Sequence, residues 1–142
     1  MTKFVKGNIM YDMEIKNVSS KYNITIDQGS TFGLTMTVKE DGSAKNLASP
    51  NQYTARAHLR SKAENTATPS GTFANGTIAF TCTGSTGAAE LQSNGIINMD
   101  LTAAQTAAIT AGSYVYDLEI VSGTTVTRII QGRANVTREI TR

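Results

Sequence analysis

The chain contains one histidine, His58, and one cysteine, Cys82, and these two residues bound the chemistry open to it. His58 lies between Arg56 and Arg60 in QYTARAHLR. A general base there needs a nucleophile and an orienting carboxylate. No Ser-His-Asp or Cys-His spacing supplies them, so His58 reads as a surface histidine. A site built on two imidazoles cannot form from one. Cys82 falls in the apolar phase of an alternating run, after Phe80, where a thiol packs as a small hydrophobe. It has no second cysteine for an intrachain disulfide. Asp12, Asp27, Asp41, Asp100 and Asp117 are dispersed and form no calcium-loop pattern. GSTG at residues 84–87 has neither the Lys nor the following helix of a phosphate loop and reads as a turn. Four N-x-S/T triplets, beginning at Asn17, Asn23, Asn75 and Asn135, follow from the abundance of Thr and Asn alone. The sequence thus predicts no catalytic residues, no metal ligands, no cofactor and no small-molecule substrate, and the chain is expected not to be an enzyme.

What remains is a pattern of charge. In QYTARAHLR, Tyr53, Ala55, Ala57 and Leu59 form an apolar face and Thr54, Arg56, His58 and Arg60 the opposite one. In SYVYDLEIVSG, Tyr114, Tyr116, Leu118 and Ile120 alternate with Val115, Asp117, Glu119 and Val121. Placed side by side, the outward sets are natural cross-strand partners, which predicts Arg56 and Arg60 beside Asp117 and Glu119 on a solvated sheet face. No aromatic residues are interleaved with the cations to stack bases. Lys and Arg exceed Asp and Glu by only 13 to 11 in 142 residues, so the pI near 8.8 does not describe a surface built for phosphates. Nucleic acid is not an expected partner. Nor is a membrane, since no run of about 18 apolar residues is present and the N-terminus shows no signal-peptide pattern.

The elements that must carry these residues are strands. Thr is the commonest residue, only 17% of residues are charged and Trp is absent, a balance that favours pleated structure. Tyr22, Ile24 and Ile26 share one phase, as do Phe32, Leu34, Met36 and Val38, with an Asp-Gly reversal at Asp41. Ile78, Phe80 and Cys82 alternate with Thr; Ile97, Met99 and Leu101 follow an Asn-Gly step; Val126, Ile130, Ala134 and Val136 share the phase of the last segment. Residues 61–76 and 84–94 read as uneven connections. Only 102–109 looks helical, with Thr102 and Gln105 suited to a capping box. Seven or eight short strands with turns about every 8 to 12 residues predict an all-β, immunoglobulin-like antiparallel sandwich with one short helix. The core is expected to contain Phe32, Leu34, Met36, Tyr53, Leu59, Ile78, Phe80, Leu101, Tyr116, Leu118, Ile130 and Val136.

Residues 1–20 stand apart from the sandwich domain, 21–142. Ile9, Tyr11, Met13 and Ile15 alternate with polar residues, so the segment can form a strand, yet NVSSKYN separates it from the pattern that follows. Two readings stay open: it is the first strand of its own domain, or an arm that adds to a neighbour's sheet edge. On the second reading Ile9, Tyr11, Met13 and Ile15 form a protein interface, rimmed by Arg138 and Arg142 of the C-terminal NVTREITR.

Four stretches in order, IDQGSTFGLTMTVKEDGSAKNL, YTARAHLR, LTAAQTAAITAGSYVYDLEIVSG and VTRIIQGRANVTREITR, resemble a family of small β-sandwich virion proteins of tailed phages, notably cyanophages. They also look like the immunoglobulin-like N-terminal module of baseplate upper proteins. The resemblance covers about residues 22–142 and departs from the family in the N-terminal extension and the Thr-rich middle. It implies a non-enzymatic structural role in the virion, at tail or baseplate, through contacts with other virion proteins and copies of itself in a symmetric assembly. A capsid decoration or cement protein is one alternative. A host-surface or carbohydrate-binding module is another, though the absence of Trp and the few outward aromatics speak against it.

Overall fold

The structure is a computed structural model that describes the backbone of residues 3–5, 8–14, 20–61 and 77–140, with side chains described for 20–60 and 78–140. The alternating segments form two sheets. The first contains β1 (Lys3–Val5), β2 (Asn8–Glu14), β5 (Phe32–Glu40), β10 (Ile96–Leu101) and β9 (Thr81–Thr83) in that order, with β6 (Ser43–Ala44) also on β5. The second runs β3 (Ser20–Lys21), β12 (Thr125–Thr137), β11 (Gly112–Ser122), β7 (Thr54–Ser61), β8 (Thr77–Ala79), with β4 (Ile24–Asp27) also on β12. Neighbours are antiparallel except β2 on β5 and β3 and β4 on β12, which are parallel.

Side-chain alternation fills the space between the sheets. Phe32, Leu34, Met36 and Val38 of β5 and Ile97, Met99 and Leu101 of β10 are buried from one side. Leu59, Tyr114, Tyr116, Leu118, Ile120, Ile130 and Val136 are buried from the other. Each large side chain so placed contributes about 1.5 to 3 kcal/mol. The result is the expected all-β sandwich. Tyr53 and Ile78, expected in this core, are only partly buried against it. Leu47, Leu91 and Ile109 are buried from connections, where no alternation marks them.

Local chemistry sets the ends of the elements. At the β5–β6 reversal both Asp41 and Gly42 have positive φ, 55° and 83°, which is the hairpin geometry an Asp-Gly step accommodates. The helix α1 (Ala103–Ala107) carries the expected capping box: Thr102 Oγ1 accepts from the Gln105 amide at 3.1 Å, and Gln105 Oε1 accepts from the Thr102 amide at 2.8 Å. Tyr114, at the start of β11, donates its hydroxyl to the Thr110 carbonyl at 2.5 Å, a tyrosine-corner contact that pins the connection from α1.

Two expectations of phase are corrected. The run 77–83 is not one strand: β8 pairs with β7 in the second sheet and β9 with β10 in the first. The chain changes sheets at Phe80, which is buried and donates its amide to the Ala57 carbonyl at 3.0 Å. Val126 is 49% exposed rather than in the core. The cause is a β-bulge: Ile130 faces Leu118 but Arg128 faces Glu119, so Ile129 is an extra residue on β12. One inserted residue reverses the side-chain phase on its far side. The bulge allows Ile129 and Ile130 both to be buried and turns Val126 outward. Of the connection expected over 61–76, Ser61 instead ends β7, and 62–76 lie outside the described residues.

Candidate functional site

The outer face of the second sheet forms an open groove of about 960 Å³. Its rows run across β12, β11 and β7. In the first, Arg128, Glu119 and Arg56 are register partners; in the second, Gln131, Asp117 and His58, with Lys21 of β3 beyond Gln131; in the third, Arg133, Val115 and Arg60. The central strand therefore carries two carboxylates and an exposed valine, and the flanking strands carry the cations.

The expected charge pairing is present in part. Arg56 Nε lies 2.8 Å from Glu119 Oε1. Asp117 pairs with Arg128, Nε to Oδ2 at 3.2 Å, and the Arg60 charge also acts on its carboxyl. Arg128 reaches this face only because of the bulge, since in an unbroken β12 it would share the inward phase of Ile130. Burial holds the Asp117 carboxyl above its ordinary value, outweighing the opposite pull of Arg128. Ion pairs this exposed contribute about 0.2 to 1 kcal/mol; they shape the surface more than they hold the fold.

Sequence reasoning located Arg56, His58, Arg60, Asp117 and Glu119 here and missed Lys21, Arg128 and Arg133. Arg133 was readable, being outward of Ala134 in simple alternation. Arg128 was hidden by the bulge, and Lys21 is brought in by parallel pairing with a strand remote in sequence, which leaves no local signal.

The other singled-out residues lie elsewhere. Cys82 is half-buried against the core, and burial, with the nearby Asp100 charge, pushes its thiol up to about 12. A nucleophile needs the opposite shift. Ile9, Tyr11 and Met13 occupy β2, in register with Leu34, Met36 and Val38 of β5. Ile15 and Arg142 lie outside the described residues. Arg138 is exposed just after β12 and borders a notch with Gln28 and the end of α1; it is not part of the charged groove. Among the described residues no three His, Cys, Asp or Glu side chains converge as a metal site, and no helix is long and apolar enough to cross a membrane.

No family model matches this chain, and no curated protein sequence does. Among solved structures it is similar to the N-terminal domain of phage TP901-1 ORF48, with 9% identity and a TM-score of 0.49, over 89% of this chain and 97% of that one. It is also similar to a family 123 glycoside hydrolase from Clostridium perfringens, with 10% identity and a TM-score of 0.47 over 87% of this chain. That second match takes in 24% of the hydrolase chain.

Proposed function

We propose that this protein is a non-enzymatic structural component of a tailed-phage particle, located at the tail or baseplate and working through protein contacts. The observation that carries the reading is the groove on β7, β11 and β12. Its side chains are cross-strand charge pairs and an exposed aliphatic, a surface suited to steering and registering a protein partner. The ordered resemblance of four sequence stretches to small virion sandwiches supports the same reading.

Assembly contacts are assigned to Ile9, Tyr11, Met13 and Ile15, with Arg138 and Arg142 at their rim, and to other copies of this chain as one partner. The support is the manner in which β2 joins the sheet. It adds in parallel to β5 through main-chain bonds, and the same segment of a neighbouring copy offers those bonds equally well. The test is deletion of residues 1–18, with thermal unfolding and incorporation into particles measured together. Retained folding with lost incorporation is the expected result. Collapse of the fold would make the segment an ordinary strand of its own domain and remove the assembly contact. Absence of the full chain from purified virions by mass spectrometry would overturn the virion role itself.

A further inference from the structure

We propose that the groove on the outer face of β7, β11 and β12 docks an acidic segment of a different protein, extended along β11 with its carboxylates against Arg60 and Arg133. This rests on the protein-contact reading above and names the chemistry of the partner.

Arg60 and Arg133 are the two register partners of Val115, one on each flanking strand, and Val115 is 38% exposed. Strands lie about 4.8 Å apart, so the two arginine-bearing strands border a channel about 10 Å across with an aliphatic floor. That width suits one extended polypeptide. The groove is lined by five Lys or Arg residues against two carboxylates, which leaves eight basic and nine acidic residues in the rest of the sequence. Among the described residues, the positive excess of this lining, five to two, is larger than that of the whole sequence, 13 to 11.

The mixed floor selects a polypeptide over a phosphate chain. Asp117 sits midway along the groove and Glu119 at the end opposite Val115, and both repel an evenly charged strand, whereas a protein segment can place carboxylates at the Val115 end and hydrogen-bond donors over Asp117. Tyr116 borders the groove but is 3% exposed and has no face for base stacking. A second copy of this chain is the poorer occupant. Of its closely spaced acidic pairs, Asp12 and Glu14 lie on β2, already paired with β5, Asp117 and Glu119 line the groove itself, and in the pair Glu40 and Asp41, Glu40 is held by Lys45 at 2.9 Å.

The test uses the full chain and a fluorescein-labelled peptide of alternating Glu and Ser, with an oligothymidylate of equal charge as competitor. The peptide should bind, more weakly as salt is raised, and the Arg60→Glu, Arg133→Glu double variant should weaken it about tenfold or more. Arg60→Gln with Arg133→Gln should give a smaller loss in the same direction, which covers the case in which the charge reversal fails to fold. Lys39→Glu, on the other sheet, should change nothing. Lack of peptide binding, or equal binding by the glutamine variant, would overturn the proposal. So would oligothymidylate binding as tight as the peptide's, or a wild-type dimer by sedimentation that the double variant abolishes. Particle content is a separate readout: a chain absent from virions that still binds the peptide would overturn the virion role and leave the docking groove standing.

Discussion

The Tyr116 hydroxyl donates to the main-chain carbonyl of Tyr22, 94 positions earlier in the chain. Gly132, the register partner of Tyr116 on β12, is what admits this approach. It falls in the inward phase of Ile130 and Ala134, and a Cβ added there would collide with the Tyr22 carbonyl. The turn into β4 is held further by the Asn23 side chain, which accepts from the Arg133 amide at 3.0 Å. Because the obstacle is backbone, Gly132→Ala should destabilise by about 1 to 3 kcal/mol, and Tyr116→Phe by about 1 kcal/mol. Urea unfolding checks both; an unchanged midpoint for Gly132→Ala would mean that the Tyr22 link between β3 and β4 does not lie against β12 as described.

The bulge at Ile129 makes a paired expectation. Leu118 is fully buried and Val126 half-exposed, although uninterrupted alternation would bury both. Leu118→Ala should cost about 2 to 5 kcal/mol, while Val126→Ala should stay within about 0.5 kcal/mol. Equal losses in chemical denaturation would place Val126 back in the core and deny the bulge.

Thr106, the buried polar residue among those described, fastens α1 to the turn after β4. Its Oγ1 accepts from the Gly29 amide at 3.0 Å and lies 2.8 Å from the Ser30 carbonyl, to which it can donate. Thr106→Val keeps the shape and removes both bonds, leaving the Gly29 amide without this partner. The expected loss is about 1 to 3 kcal/mol. Thr106→Ser should recover most of it, which separates the hydrogen bonds from simple packing.

Asp100 and Asp117 give a pH signature. Burial raises both carboxyls above 3.8. A carboxyl with a raised folded-state value binds its proton more tightly when folded, so its contribution to stability is present at low pH and is lost as pH rises through that raised value. The Asp100→Asn, Asp117→Asn double variant should therefore gain melting temperature relative to the wild type on going from pH 3 to pH 7. A difference that is flat across this range, or falls, would contradict the burial of both groups.

Cys82 should behave as an inert thiol. With its value at about 12, about one molecule in ten thousand is thiolate at pH 8. Reaction with a disulfide reagent should be slow in the native protein and fast in denaturant, and rapid native labelling at pH 8 would contradict its position beside Met99 and the core.

Periodicity alone determined most of the sandwich. Alternation at Phe32 to Val38, Ile97 to Leu101 and Tyr114 to Ile120 states which side chains face inward, because a strand's side-chain period of two is a local property of the backbone. The capping box at Thr102 and the reversal at Asp41 were legible for the same reason: each is completed within four residues. Tertiary structure decided what depends on a partner remote in the chain. Whether 77–83 is one strand or two is settled by two different neighbours, β7 and β10. Whether Arg128 faces the core or the groove is settled by an extra residue that only the register with β11 reveals. Lys21 enters the charged face through a parallel pairing that crosses more than a hundred residues of sequence. The hydrophobic pattern records a residue's own preference for burial, and it carries no information about which distant strand will supply the other side of the contact.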